Sequence, residues 1–438
     1  MTTAYRILIL GDFSGRARPV DRTLSTRGVD RDDLDDAIKS IRPELSLSLD
    51  ASIALATMKF AELDDFHPDR LLDNVSLLVS LRELRDARLF VDRPRETPST
   101  GARTDAAALS LGSGSLLDRI VEGEPDAGGT AVRGVARQDE LSDFLRRAIK
   151  PHLANEPTPE QRERTAKVDE LTVATLRVLM HHPKFQALES LWRGVDMLTR
   201  RLDTDDHLQI HIADIAPSAL GSLRATSVAG WSLVVADVSL GVEDLGLIRH
   251  LAELASSTRT PWIAAARPEL GGARSFGDGS DVDDWNKQPA AGWDEFRHSS
   301  HARWLCLTTP RILLRVPYGR ASDPCTSLPF EEQDPDAPSH DSYLWGNGAF
   351  AAALLLGEAA ANDDAPATQG TIFGLPLHVA KIDGEPTAVP CAEALISQRS
   401  MTHLLDRGLT PLVSERDGDS VRVPRLQSLA APPAPLGA

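Results

Sequence analysis

Residues 231–237 read Trp-Ser-Leu-Val-Val-Ala-Asp, an almost continuous apolar run. A run of this kind predicts a strand that is buried on both faces, as the strands of parallel sheets are. An amphipathic helix is predicted next, over residues 245–256, and another apolar strand over 261–266. Because strands that alternate with helices form parallel sheets with crossover connections, the sequence predicts an α/β fold with a mainly parallel sheet.

Further segments extend this pattern on both sides of the core. Residues 208–212 alternate between apolar and polar side chains, which predicts a half-buried strand. Residues 165–202 carry helical apolar spacing, and we predict an interruption at Pro183 because proline lacks the amide donor and clashes with the preceding turn. Residues 341–360 predict an alanine-rich helix, and residues 294–301 a short one.

The first 90 residues carry the pattern of a smaller α/β module. Residues 5–10 are an apolar run that ends at Gly11, which predicts a buried strand. The other predicted elements of this module are a helix carrying Leu34, Ile38 and Ile41, strands at 44–49 and 57–60, a turn at 64–68 and a helix over 69–88.

The composition changes from residue 94 onward to Pro, Gly, Ser, Thr and Ala, which indicates a linker. An amphipathic helix over residues 138–152 follows it. We therefore predict a small α/β domain at 1–93, a linker at 94–136 and a larger, mainly parallel-sheet α/β domain at 137–438.

The bulk properties restrict the class of protein. The 438 residues are 42% hydrophobic and 25% charged, which fits a globular chain of about two domains. The formal net charge of -17 argues against a nonspecific nucleic-acid binder, since such a protein needs a basic face. No signal peptide is visible, and no run approaches the roughly 20 apolar residues of a membrane span. The three cysteines, Cys306, Cys325 and Cys391, are odd in number and widely spaced, which fits a reducing compartment. These features predict a cytoplasmic protein that is not inserted into a membrane.

Sequence motifs of catalysis are missing from the chain. It has no phosphate loop, no His-Glu-x-x-His, no Gly-x-Ser-x-Gly and no Cys-x-x-Cys. Ser14 follows the first strand in Gly-Asp-Phe-Ser-Gly, but its spacing fits neither a nucleophile turn nor an anion-binding loop, and no base stands at a recognisable spacing to activate it. We predict a strand-end turn there, with no catalytic residue and no cofactor-binding residue in the chain.

The most tempting metal ligands are the adjacent His181 and His182. Neighbouring residues on a helix point about 100° apart, and no partner stands at ligand spacing. We predict instead a structural role at a helix end, where an imidazole bonds carbonyls that Pro183 leaves free. His207 and His211 would lie about 13 Å apart in a strand, too far to share an ion.

An acidic loop and a set of aromatic residues have similarly simple interpretations. The loop carrying Asp278, Asp281, Asp283 and Asp284 lacks the ligand pattern and terminal Glu of a calcium loop, so a solvated loop is predicted and no metal site. Core positions are predicted for Cys306 and for four tryptophans, Trp192, Trp231, Trp262 and Trp304. Tyr343 and Trp345 are also predicted to be buried, against the alternative of a ligand-binding loop.

Several stretches of the first module resemble the small sheath subunit of type VI secretion systems (TssB). They are residues 8–16 (Leu-Ile-Leu-Gly-Asp-Phe-Ser-Gly-Arg), 43–45 (Pro-Glu-Leu), 58–60 (Met-Lys-Phe) and 63–69 (Leu-Asp-Asp-Phe-His-Pro-Asp). The rest of the chain is similar to the large sheath subunit (TssC), on residues 181–189, 192–194, 307–311, 315–318, 330–332, 343–347, 390–393 and 409–412.

This resemblance implies a fused, non-enzymatic sheath protomer that packs with copies of itself or with other sheath subunits. It also implies an inner tube protein, a baseplate and a recycling unfoldase as partners. Family members usually extend beyond both ends of the matching region, which favours an alternative, a sheath-derived adaptor or cap that does not polymerise. A hydrolase without a recognisable motif is a third hypothesis.

The two subunits of this family form an obligate pair, and the resemblance therefore predicts how the modules of this chain are related. Residues 1–93 and 165–438 should pack against each other, since each would otherwise expose an apolar face. The helix over 69–88 is the predicted main contact.

Overall fold

The computed structural model describes residues 4–18, 24–48, 56–90, 158–276, 282–334, 339–382 and 384–437. The linker at 94–136, the predicted helix at 138–152, and Asp278 and Asp281 lie outside the described residues. Residues 4–83 and 168–437 belong to one compact unit. The described parts of a second unit, residues 84–167, are the end of one helix and the start of another.

The secondary structure of the described residues follows the predicted order. The α-helices are α1 (Leu34–Ile41), α2 (Pro68–Asn74), α3 (Ser76–Phe90), α4 (Pro159–Met180), α5 (Pro183–Arg201), α6 (Leu245–Thr258), α7 (Pro268–Gly271), α8 (Trp293–Arg297), α9 (Ala349–Ala361) and α10 (Gln398–Asp406). The strands are β1 (Tyr5–Gly11), β2 (Arg27–Val29), β3 (Glu44–Leu47), β4 (Ala56–Lys59), β5 (Leu208–Asp214), β6 (Leu233–Leu240), β7 (Trp262–Ala266), β8 (Leu305–Thr309), β9 (Ile312–Leu313), β10 (Trp345–Gly346), β11 (Gly370–Ile372), β12 (His378–Ile382), β13 (Glu385–Val389), β14 (Thr410–Pro411), β15 (Val413–Ser414) and β16 (Val421–Val423).

A seven-stranded sheet with the order β14-β8-β7-β6-β1-β5-β2 organises the unit. All neighbouring strands in it are parallel except β2, which runs antiparallel to β5. The predicted α/β fold with a mainly parallel sheet is therefore confirmed. The sheet also contains a strand of each predicted module, because β1 lies between β5 and β6.

Strand β1 is the central element of the fold. Ile7 stands opposite Ile210 of β5 on one side and Leu233 of β6 on the other. Ile7 and Ile9 belong to the core on one face of the sheet, together with α5, α9 and the helices of the first module. Leu8 and Leu10 belong to the core on the opposite face, with α6. Burial on both faces explains the uninterrupted apolar sequence of this strand.

The prediction of a single helix over residues 69–88 is wrong, because the structure contains two helices there. Helix α2 ends at Asn74, and Val75 has an extended backbone with φ -91° and ψ 116° before α3 begins. Apolar side chains at Leu72, Val75 and Leu78 are buried on both sides of the break. The helical spacing therefore continues through a position at which the backbone turns.

The alanine-rich helix predicted over residues 341–360 begins later than expected. Residues 340–342 form a short 3₁₀ turn and residues 345–346 form β10, and α9 starts only at Ala349. Trp345 is accordingly in a strand, where it is 6% exposed and its indole N–H donates to the His340 carbonyl at 2.9 Å. Tyr343 is 4% exposed, and its hydroxyl lies 2.9 Å from His378 Nδ1. The predicted burial of both residues is confirmed.

We expect Trp345→Ala to lower the free energy of unfolding by about 3 kcal/mol, the lower end of the range for a large buried aromatic. The indole lies in a small satellite cluster of the core, formed with Leu313, Tyr343, Ala380 and Val389. Urea unfolding of the purified protein measures the change. Phe373→Ala is the matched control, because Phe373 is 65% exposed and its removal should change the stability by about 0.5 kcal/mol at most. An unfolding midpoint that Trp345→Ala leaves unchanged would contradict the structural role.

Candidate functional site

A buried cluster of charges lies where four of the stretches that resemble the large sheath subunit converge, residues 181–189, 192–194, 315–318 and 330–332. The guanidinium of Arg315 lies between two carboxylates, those of Glu189 and Glu332, which are 0% and 1% exposed. Arg315 donates to Glu189 through Nε at 2.6 Å and Nη2 at 3.0 Å. It donates to Glu332 through Nη1 at 2.6 Å and Nη2 at 3.0 Å. Both contacts are bidentate, which is the strongest geometry for an Arg–carboxylate pair.

Two further groups complete this charge cluster. Arg193, one turn after Glu189 on α5, donates through Nε to the Glu189 carboxylate at 2.7 Å and through Nη2 to the Tyr318 hydroxyl at 2.8 Å. The Tyr318 amide donates to Glu332 at 2.8 Å, and the Arg315 guanidinium lies 4.2 Å from the centre of the Tyr318 ring. Two guanidinium groups thus balance two carboxylates.

Pairing determines the ionisation of these buried groups. Burial alone would raise the pKa of Glu189, but the charges of Arg315 and Arg193 outweigh it and hold that pKa below its ordinary value. Burial likewise opposes the charge of Arg315, and the two carboxylates nevertheless raise its pKa well above the ordinary value. Burial raises the pKa of Tyr318 to about 12. Glu189 and the two arginines therefore stay charged at neutral pH, and the Tyr318 hydroxyl stays neutral.

The first module packs next to this cluster through His67, which precedes α2, and through Asp69 in the first turn of that helix. The His67 ring packs edge-on against Tyr318, with a centroid distance of 4.8 Å. The Asp69 carboxylate accepts hydrogen bonds from the Thr326 amide at 2.8 Å, the Thr326 hydroxyl at 2.9 Å and the Ser327 amide at 3.0 Å. The Cys325 thiol donates to it as well, at 3.0 Å. Burial works against these bonds, but together they hold the pKa of Asp69 well below its usual range.

Aromatic packing connects the first module to α5. Phe60 and Phe66 are stacked with centroids 4.2 Å apart, and Phe185 of α5 packs edge-on against both. On the same helix, Trp192 lies edge-on to Phe13 at 4.9 Å and donates through its indole N–H to the Phe13 carbonyl at 3.2 Å. The main contact between the modules is thus formed by β1 and the turn before α2. The helical segment 69–88, which the sequence predicts as the main contact, contributes beside them through Asp69.

The structure gives the histidine pair a role different in detail from the predicted one. His181 and His182 separate α4 from α5, and Pro183 is the first residue of α5. The His182 ring accepts a hydrogen bond at Nδ1 from the Lys184 amide at 3.2 Å, so it caps the start of α5. The predicted contact with carbonyls at the end of the preceding helix is replaced, for His182, by this cap of the following helix.

The remaining candidates lie apart from the charge cluster. Ser14 is fully buried, and its hydroxyl accepts from the Arg16 amide at 3.3 Å. His207 precedes β5, and His211 within that strand packs against Trp231 at 5.0 Å. Asp283 pairs with Arg399 at 2.6 Å. Asp284 ends a short 3₁₀ turn.

The other residues predicted to lie in the core have different degrees of burial. Trp192, Trp262 and Cys306 are 0% exposed, whereas Trp231 and Trp304 are only partly buried. Within the described ranges, no group of three or more His, Cys, Asp or Glu residues is arranged to hold a metal ion. None of the helices described is both long and apolar enough to cross a bilayer.

Three carboxylates lie at the carboxyl edge of the main sheet. Asp12 follows β1, Asp214 ends β5 and Asp237 lies within β6. The Ser14 amide donates to Asp214 at 2.9 Å, and Asn347 Nδ2 donates to Asp237 at 3.1 Å. Burial raises the pKa of Asp237 to about 6, although the Asn347 bond acts in the opposite direction.

Asp237→Asn is expected to raise the melting temperature at pH 8 and to change it little at pH 4. A pKa of about 6, raised from 3.8, means that the fold favours the neutral acid. This contribution is fully present below pH 3.8 and is lost as the pH rises through 6. The amide cannot ionise and can still accept from Asn347. Thermal melts across this range test the prediction, with the exposed Asp203→Asn as control. An equal shift at both pH values would contradict it.

Comparison with known proteins accounts for both modules. A family model described as VipB (EvpB), the tail sheath N-terminal domain, matches residues 162–229 and 228–430. A second model, described as the type VI secretion system protein VipA, matches residues 2–90. The chain belongs to the type VI secretion sheath proteins. It joins a TssB-like and a TssC-like part in one polypeptide, and these families are structural sheath proteins rather than enzymes.

A curated relative supports the assignment of the TssC-like part. The type VI secretion system sheath protein TssC1 of Pseudomonas aeruginosa is 28% identical to this chain over 303 residues. That alignment covers 61% of this chain and 61% of the relative.

The charge cluster is not among the sites predicted from the sequence, although all of its residues lie in the stretches that resemble the sheath family. One signal was available in the sequence. Glu189 stands among apolar residues on the buried face of α5, and Arg315 follows the apolar run Ile312-Leu313-Leu314. A lone acid and a lone base in apolar segments indicate a buried pair, since an unpaired charge is rarely buried.

Proposed function

We propose that this chain is a structural protomer of a type VI secretion-like contractile sheath, in which the small-subunit and large-subunit parts are permanently joined. The small-subunit-like domain is placed at residues 1–93, the linker at 94–136 and the large-subunit-like domain at 137–438. The position of β1 in the middle of the sheet carries this proposal. A strand from the small part completes the core of the large part, as expected if the pair acts as one unit.

The proposed action is self-assembly, or packing with other sheath subunits. The described surface offers apolar side chains for such contacts, since Phe373, Leu377 and Val379 are 65%, 40% and 59% exposed within seven residues. By family resemblance we propose an inner tube protein, a baseplate and a recycling unfoldase as further partners. The proposal includes no catalytic residue, no cofactor, no metal and no nucleic acid.

Electron microscopy of the negatively stained, purified full-length chain tests this function. We expect tubes, rings or stacked discs for the protein alone or after addition of a type VI secretion inner tube protein. Phe373→Asp combined with Val379→Asp should reduce assembly while leaving the melting temperature unchanged. Dispersed single particles under both conditions would contradict a polymerising protomer and favour an adaptor or cap.

A further inference from the structure

The corner between α4 and α5 consists of two histidines. Helix α4 ends at Met180 and α5 begins at Pro183. His182 caps α5 by accepting the Lys184 amide at Nδ1, and a ring nitrogen accepts a hydrogen bond only while it carries no proton. Protonation of this nitrogen would remove the cap and place a positive charge at the positive end of the helix dipole.

The neighbouring histidine faces the charge cluster. His181 Nε2 is buried, has no hydrogen-bond partner among the described residues, and lies 3.9 Å from Glu332 Oε1. Arg315 already pairs with Glu332 in two hydrogen bonds. Arg177 on the last turn of α4 adds another positive charge near the ring. A protonated His181 would bring an additional cation into a cluster whose charges are balanced.

The surroundings of both rings favour their neutral forms. Burial lowers the pKa of His181, and the repulsion of Arg315 and Arg177 acts with it against the attraction of Glu332. Burial also lowers the pKa of His182, assisted by the charge of Lys184. A histidine whose pKa is lowered in the fold contributes stability that is complete above pH 6.5 and is lost as the pH falls below that value.

We propose that the His181–His182 corner is a proton-sensitive joint, which loosens on acidification before the rest of the fold does. Protonation removes the cap of α5 and adds a cation beside Arg315 and Arg177. Helix α5 carries Glu189 and the aromatic residues on which the first module packs. Acid would therefore weaken the junction of the two modules first. The inference concerns the folded chain alone and does not depend on the proposed sheath function.

Hydrogen exchange on the full-length protein tests the proposal. One pH unit below 6.5, each imidazole whose pKa is lowered in the fold changes the local opening equilibrium by at most about tenfold. After correction for intrinsic exchange, the amides of residues 184–186 should lose protection between pH 7.5 and 5.5, by up to about tenfold for each ring. The amides of β1 should lose much less. Equal losses in both segments, or none in the first, would overturn the proposal.

Matched variants connect the effect to the two rings. His182→Asn keeps an acceptor at the cap position but gains no proton, and His181→Gln keeps a polar amide in place of the ring. The double variant should show no pH-dependent loss of amide protection at residues 184–186. His298→Asn serves as control, because the exposed His298 ring faces the Asp294 carbonyl as a donor and does not accept a backbone amide as His182 does. A wild-type pH dependence in the double variant, or its disappearance in the control, would overturn the assignment.

Where the double variant does not fold, His182→Asn alone should remove about half of the effect on a logarithmic scale, and an unchanged effect would count against the proposal.

Discussion

Replacement of Arg315 by Met is expected to lower the free energy of unfolding by about 3–5 kcal/mol, the range for removing one partner of a buried ion pair. The substitution leaves Glu189 and Glu332 as buried carboxylates without their shared counterion. Most of the loss therefore comes from uncompensated charge and not from lost packing, since Met fills much of the volume of the arginine stem. Urea unfolding at pH 7.5 measures the change.

A surface ion pair on α5, the helix that carries Glu189, provides the control. Arg200 donates to Asp196 at 2.7 Å, and the Arg200 side chain is 59% exposed. Arg200→Met should lower the stability by only about 0.3–0.5 kcal/mol, as an exposed pair one turn apart does. The double variant with Arg315→Met and Glu332→Gln should be more stable than Arg315→Met alone, because Glu189 keeps Arg193 as its counterion and the second buried carboxylate is gone. Equal losses from Arg315→Met and Arg200→Met would show that the cluster is not a main support of the fold.

The class of the fold could be predicted from short apolar runs. Residues 231–237 and 261–266 are almost continuously apolar because β6 and β7 have helices or loops on both faces, and this pattern is local. The position of β1 could not be predicted in the same way. Its apolar sequence shows that it is buried on both faces, but the neighbours of a strand are selected by contacts that lie about 200 residues away along the chain.

Other structural features that were not predicted from the sequence have local physical reasons. The strands β9, β10 and β14 have two residues each, too few for any alternation to be recognised. The break at Val75 was missed because the buried side chains continue with helical spacing on both sides of it. The His182 cap was missed because His is not among the preferred capping residues, and Pro183 was interpreted as the end of a helix although proline is equally suited to begin one.

The charge cluster could be predicted only in part, because its members are brought together by the fold. Glu189 and Arg193 are one helical turn apart, so their pairing follows from local sequence. Arg315 lies 126 residues after Glu189, just beyond β9, and reaches these residues only in the folded chain. A buried charge in a sequence thus indicates that a partner exists, while its identity depends on the tertiary structure.

Cutting the chain between residues 93 and 137 is expected to leave its two parts bound to each other. Strand β1 forms ladders with β5 on one side and with β6 on the other, so its removal would divide the seven-stranded sheet and leave two strand edges unpaired. We therefore expect residues 137–438 to aggregate when expressed alone and to be soluble in a 1:1 complex when co-expressed with residues 1–93.

A single substitution in the shorter part shows whether this association depends on the strand. Ile9 is 0% exposed at the centre of β1, and Ile9→Asp would bury a charge that has no partner there, a loss of several kcal/mol. The variant should abolish co-purification of the two parts, whereas Asp32→Asn before α1, at an exposed position, should leave the complex intact. Two parts that are each soluble and monomeric, and that do not associate on mixing, would contradict this account. In that case the sheet would be complete without β1, and the covalent joining of the two subunits would have no role in the stability of the protomer.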